Sequence, residues 1–222
     1  MLLAVDTSTQ WMGLALLHDD QIISEMVWKT HNHHSVELAP AVALLFKRAD
    51  ITGNALEAIA IASGPGSFTS LRVGMAFVKG LALSLHLPLI SIPTLHITAA
   101  AVPLQDLPLA AVLQAGRGRL AVGWYGAGKD GWLANGEPVV MTPADLEQAV
   151  TKPALICGEL NTEERKTLAR RWKNIHLVEA ALCVRRPAYL AQLAFKRWLA
   201  NDVDDAVSLA PTYLHLKDPI PG

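Results

Sequence analysis

The chain has 222 residues, 51% of them hydrophobic, with 19 basic and 20 acidic side chains and a formal net charge of −1. That length holds one large domain or two small lobes, and so even a charge balance argues against a free-standing electrostatic nucleic-acid binder. Two cysteines make no metal-like cluster, and nothing resembles a signal peptide, so a cytoplasmic, reducing setting is expected.

Taken in order, Leu2 to Asp6, Met12 to Leu17 and Gln21 to Trp28 read as three strands joined by turns around Thr9-Gln10 and Asp19-Asp20. A helix from His34 to about Arg48, a strand at Ala58 to Ala62, a helix from Phe68 to Leu85, a strand at Leu89 to Ile92 and a short helix from Thr94 follow. After Pro103 the pattern restarts with strands near Leu109 to Leu113, Leu120 to Tyr125 and Val139 to Met141. Helices then begin near Pro143 and Asn161 around a strand at Ala154 to Cys157, and a last helix runs from Pro187 to Ala200. Thr142-Pro143-Ala144-Asp145 has the form of a helix start, with Pro at the first helical position. The order β-β-β-α-β-α, met twice, predicts two α/β lobes from a duplicated unit, residues 1–103 and 104–222, each with a mixed sheet.

The stretch Ser63-Gly64-Pro65-Gly66-Ser67-Phe68-Thr69-Ser70-Leu71-Arg72-Val73-Gly74 joins a buried strand to a helix apolar on nearly every side. Gly64 and Gly66 let the backbone turn sharply, and Ser67 or Thr69 is placed to cap the helix. Such a turn aims amide donors at an anion, yet the specific phosphate loops fail letter by letter. No Lys followed by Ser or Thr closes a Walker loop, and Thr69 stands where the dinucleotide fingerprint needs its third Gly. No Gly-x-Ser-x-Gly elbow surrounds Ser67 or Ser70.

The two long helices point to association. Between Phe68 and Leu85 only Arg72 and Lys79 mark a charged stripe, and Leu38 to Phe46 has no polar side chain. Two such helices cannot hide all that surface against one sheet, which predicts a partner offering a similar pair. The expected interface is drawn from His34, Leu38, Val42 and Leu45 of one helix and Leu71, Arg72, Met75, Val78 and Lys79 of the other. Arg72 and Lys79 make the second helix too polar for a membrane span, and no membrane association is expected. His31, His33 and His34 are read as a polar helix entrance, with His34 capping or at the interface rim, and no metal site is expected. Arg185-Arg186-Pro187 and Lys196-Arg197 read as a solvated basic patch, and Trp172, Trp198 and Tyr189 as packing residues.

Asp6-Thr7-Ser8 after the first strand, His34-Ser35, Gly64-Pro65-Gly66-Ser67-Phe68-Thr69 before Leu71-Arg72-Val73-Gly74, and Pro211-x-Tyr213-Leu214 together resemble the TsaB family, also called YeaZ. The likeness is strong in the first half and thin after about Pro103. It implies two ribonuclease-H-like lobes of the actin and Hsp70 (ASKHA) type. It also implies a role in making threonylcarbamoyladenosine beside the tRNA anticodon, as a non-catalytic partner of the transferase TsaD, with the ATPase TsaE joining them. The resemblance implies no cofactor of the chain's own, a homodimer when TsaD is absent, contact with tRNA only through the complex, and ATP or ADP at the interface with the partner. Asp6, Thr7, Ser8, Gly64 and Gly66 are then the candidate nucleotide contacts. The matching place in the second lobe reads Gln114-Ala115-Gly116, where the family usually has Asp, and Ser70 stands where Gly is usual. An ATPase or transferase using Asp6, and a serine protease acting on the partner, remain as alternatives.

Overall fold

The computed structural model describes residues 1–214; residues 215–222, at the end of the expected second lobe, lie outside the described residues. The first sheet is built from β1 (Leu2–Asp6), β2 (Trp11–His18), β3 (Gln21–Lys29), β4 (Ala58–Ala62) and β5 (Leu89–Ile92). Its order is β3-β2-β1-β4-β5, with β1 antiparallel to β2 and parallel to β4. Helices α1 (His34–Arg48) and α2 (Phe68–Leu85) precede and follow β4, and α3 (Thr94–Ala100) follows β5.

The second sheet repeats the plan. Strands β6 (Leu109–Gln114), β7 (Leu120–Ala127), β8 (Trp132–Ala134), β9 (Val139–Met141), β10 (Ala154–Gly158) and β11 (Ile175–Leu177) run in the order β11-β10-β6-β7-β8, with β9 also on β7. Here α4 (Pro143–Ala149) and α5 (Thr162–Ala169) flank β10, as α1 and α2 flank β4. β6 is antiparallel to β7 and parallel to β10, so the expected duplication is present in both sheets. β8 and β11 are additions to the expected strands, each only three residues long.

The compact units do not follow the chain division at residue 103. One comprises Met1–Ile97 and Arg185–Thr212; the other comprises Thr98–Val184 with Tyr213 and Leu214. The reason is the last helix, α6 (Pro187–Leu199), whose buried Leu190, Ala191 and Ala194 pack against Leu2, Ala4, Ala15 and Leu17 of the first sheet. A Cβ at Gly13 would sit 3.0 Å from the Pro187 ring, so the helix start lies directly on β2. The first unit is therefore layered, with α1 and α2 on one face of its sheet and α6 on the other.

A closed strand end and an outward apolar helix face

Asp6 ends β1 in the buried interior, and its carboxylate is fully engaged. Oδ1 accepts from the Ser8 amide at 2.9 Å and from the Ser8 hydroxyl, while Oδ2 accepts from Arg185 Nε. Arg185 in turn donates through Nη2 to Thr9 Oγ1 at 3.0 Å. Both members of this ion pair are buried, so the guanidinium supplies the positive charge that a metal ion on the carboxylate would otherwise bring. The expected exposed basic patch is corrected accordingly, because Arg185 is a core residue. Arg186 pairs with Glu25, and Arg197 pairs with Asp202 and Asp204 and donates to the Ser91 carbonyl.

The glycine turn is used in the same inward way. The Ser67 amide donates to the Ser8 carbonyl at 2.7 Å, and the Gly64 amide to Thr94 Oγ1 at 3.1 Å. A side chain at Gly66 would run into the Ser8 backbone, and one at Gly74 into Thr7. Gly64 adopts φ 111°, where only glycine is at ease, and faces the Thr212 carbonyl. These glycines thus let the turn and α2 close onto the loop after β1. The arrangement does not fit a metal-bound nucleotide on Asp6, Thr7, Ser8, Gly64 and Gly66, because the Asp6 carboxylate is paired with Arg185 and Ser8, and the Gly64 and Ser67 amides already have protein partners.

Ser67 stands at the N-cap of α2 without making a side-chain cap bond, contrary to expectation. Its hydroxyl instead lies 3.0 Å from Ser70 Oγ, which lies 3.3 Å from His34 Nδ1. His34 Nε2 is 2.8 Å from the Thr9 carbonyl, which can only accept, so Nε2 donates to it. His34 is buried, neither a cap nor a rim residue, and the N-cap of α1 is His33. The chain ties the loop after β1 to the starts of α1 and α2. It contains no carboxylate to orient the imidazole, so it is not a Ser-His-acid triad. His33 Nδ1 lies 3.8 Å from Glu37 Oε1, and among the described residues no three His, Cys, Asp or Glu side chains converge as metal ligands.

The matching strand end of the second unit is neutral. Gln114 closes β6 and donates through Nε2 to Glu164 Oε2 at 2.7 Å and to the Glu159 carbonyl at 3.1 Å. Glu164 also accepts from the Asn161 amide at 2.7 Å, completing the capping box of α5.

The helix pair divides into two faces. His34, Leu38, Val42, Leu45, Leu71, Met75 and Val78, all expected at a partner interface, are buried in their own unit. Of the nine residues expected at the interface, only Arg72 and Lys79 reach the surface. The correction follows from geometry, since residues spaced i, i+4, i+7 share one face of a helix, and this is the face that packs on the sheet. The opposite face is apolar too, with Val36 66%, Leu44 40%, Phe68 54% and Leu83 79% exposed. Ala39, Pro40, Ala43, Ala76 and Gly80 lie open among them, and Arg72 covers the Phe68 ring at 4.0 Å. Among the described residues, α2 is the one helix long and apolar enough to cross a membrane. Its buried row against the sheet identifies it as a layer of the α/β unit. Trp172, expected to pack, is 69% exposed in the turn after α5.

A tRNA threonylcarbamoyladenosine biosynthesis protein TsaB from Bacillus subtilis (strain 168) is 32% identical over 98% of this chain and 95% of its own length. The chain belongs to the TsaB family. TsaB of Haemophilus influenzae (strain ATCC 51907 / DSM 11121 / KW20 / Rd) is 36% identical over 45% of the chain and 42% of its own length. The family model for TsaD, tRNA N6-adenosine threonylcarbamoyltransferase, matches residues 21–170, so TsaB and TsaD are related over most of this fold. YeaZ from Pseudomonas aeruginosa superimposes with a TM-score of 0.76 at 26% identity, covering 96% of this chain and 99% of its own. The ethanolamine utilization protein EutJ from Carboxydothermus hydrogenoformans shares the fold alone, with a TM-score of 0.51 at 14% identity. The fold is of the actin and Hsp70 type, and the TsaB family places the chain in tRNA threonylcarbamoyladenosine biosynthesis.

Proposed function

We propose that the chain is a subunit without an active site of its own, which docks through the outer face of α1 and α2 onto a TsaD-like transferase. The transferase would then pass the threonylcarbamoyl group to the adenosine beside the tRNA anticodon. The observation that carries this reading is the outward apolar face around Val36, Leu44, Phe68 and Leu83, which a folded unit would otherwise leave in water. The Asp6–Arg185 pair supports the non-catalytic half of the proposal. In this reading the chain reaches tRNA only through the complex, and a TsaE-like ATPase joins the assembly. ATP or ADP belongs to the assembled interface, not to Asp6. A second copy of the chain covers the same face when the transferase is absent.

The test is size-exclusion chromatography of the full chain with a TsaD-type partner. Leu44→Glu and Leu83→Glu should each elute apart from the partner while keeping native circular dichroism. An unchanged complex would remove the docking face from this account. Nucleotide turnover by the purified chain alone, lost in a folded Asp6→Asn variant, would instead favour an enzyme.

A further inference from the structure

We propose that Cys157 and Cys183 form a dithiol site that a hydroperoxide converts to a reversible intramolecular disulfide. Cys157 lies in β10 and is buried; Cys183 is half-buried in the turn that follows β11. Their sulfurs are 3.8 Å apart, within reach of an S–S bond of about 2.05 Å once the turn moves inward by less than about 2 Å. Both residues belong to the second unit, and the docking helices belong to the first, so the site stands independently of the proposed function.

The surroundings assign different roles to the two sulfurs. Cys183 Sγ is 3.5 Å from the Val178 carbonyl, to which Arg165 Nη2 donates at 3.1 Å, so a guanidinium lies beside this thiol. Cys157 Sγ is 3.4 Å from the Leu182 carbonyl and can also turn its S–H toward Cys183. A hydrogen bond from Cys157 leads the interactions that lower the Cys183 pKa, outweighing partial burial, with the Gly158 amide and Arg165 adding to it; the hydrogen bond to Cys183 and burial raise that of Cys157. Cys183, the more accessible sulfur and the better thiolate, is therefore the peroxidatic residue, and Cys157 the resolving one.

In the first step the Cys183 thiolate attacks the peroxide O–O bond. An S–O bond forms, the O–O bond breaks, and the departing oxygen takes a proton to leave as alcohol or water. In the second step the Cys157 sulfur attacks the sulfenic acid sulfur; S–S forms, S–O breaks, and the hydroxide leaves as water with the Cys157 proton. Two thiols lose two electrons and one peroxide gains them.

Because the chain has only two cysteines, the test is unambiguous. The full chain, reduced and freed of reductant, is treated with hydrogen peroxide, and remaining thiols are alkylated before intact mass and non-reducing electrophoresis. Both thiols should disappear together, giving a monomer lighter by two hydrogens, and dithiothreitol should restore both. Cys157→Ser should stop at a sulfenic acid trapped by dimedone, while Cys183→Ser should keep its remaining thiol. Two alkylatable thiols in the treated wild type, a sulfenic acid that persists beside Cys157, or a bond between chains would each overturn the proposal. The wild-type result decides even if either variant fails to fold.

Discussion

The two halves of the molecule share a topology and differ in what their helices meet. In the second unit α4 and α5 have only 7 and 8 residues, and each opens with a complete capping box, Thr142 with Asp145 and Asn161 with Glu164. In the first, α1 and α2 run to 15 and 18 residues, have no side-chain cap bond, and carry apolar side chains on both faces. Short helices depend on their caps, because few turns share the cost of nucleation. The long pair is held by packing on the sheet from within, and its outer face is the kind of surface that a second protein completes. The strand ends diverge in parallel: a buried ion pair closes β1, and an amide bonded to a helix cap closes β6.

The largest effect should separate the two faces of α1. Leu45→Glu puts an unpaired charge in the core and should unfold the chain, a loss above about 4 kcal/mol in urea denaturation. Its neighbour Leu44→Glu should move stability by no more than about 0.5 kcal/mol, since it faces solvent. Equal losses at both positions would erase the distinction between inner and outer faces.

Next in size is the strand end. Asp6→Ala strands Arg185 in the interior and should cost about 3–5 kcal/mol. Adding Arg185→Met should restore much of the loss, as a double-mutant cycle would reveal. Gln114→Leu in the second unit should cost only about 1–3 kcal/mol, because Glu164 keeps its bond to the Asn161 amide. A mild Asp6→Ala effect would mean that the first strand end is open to solvent and to ligands.

Caps give a smaller contrast. Thr142→Ala and Asn161→Ala should each cost about 1 kcal/mol, and Ser67→Ala should cost less, since Ser67 makes no cap bond. Smallest is a pH effect at the Thr142 box. Hydrogen bonds from the Thr142 side chain and amide hold the Asp145 carboxyl below its ordinary value of 3.8. The folded pKa is thus depressed: its stabilisation is present above the unfolded value and disappears as pH falls through the folded one. Thermal unfolding followed from about pH 5 down to pH 2 should show a steeper loss for the wild type than for Asp145→Asn.

Much of this fold can be read from local pattern. The apolar runs Ala58 to Ala62 and Leu89 to Ile92 are the observed β4 and β5, and the bounds of α1 and α2 agree with their periodicity. The missed β8 and β11 are three-residue strands without adjacent β-branched residues, whereas the equally short β9 carries Val139-Val140-Met141. Asp6 stands out in the sequence, but its partner Arg185 lies 179 positions away beside another arginine, where a solvated patch is the natural reading. The two helices are apolar all round, so periodicity could not say which row meets the sheet. Only the packed structure assigns Leu45 inward and Leu44 outward. Trp172 is flanked by Arg171 and Lys173, and its ring stays in solvent, where Lys173 Nζ lies 5.5 Å from its centroid.

The outer face of α1 and α2 is the docking surface that we propose. Its most direct test is co-purification of the full chain carrying both Leu44→Glu and Leu83→Glu with a TsaD-type transferase, beside the wild type. The wild type should form a stable complex and the variant none, with both chains showing the same cooperative thermal unfolding. A variant that unfolds normally and still binds the transferase as tightly as the wild type would contradict it.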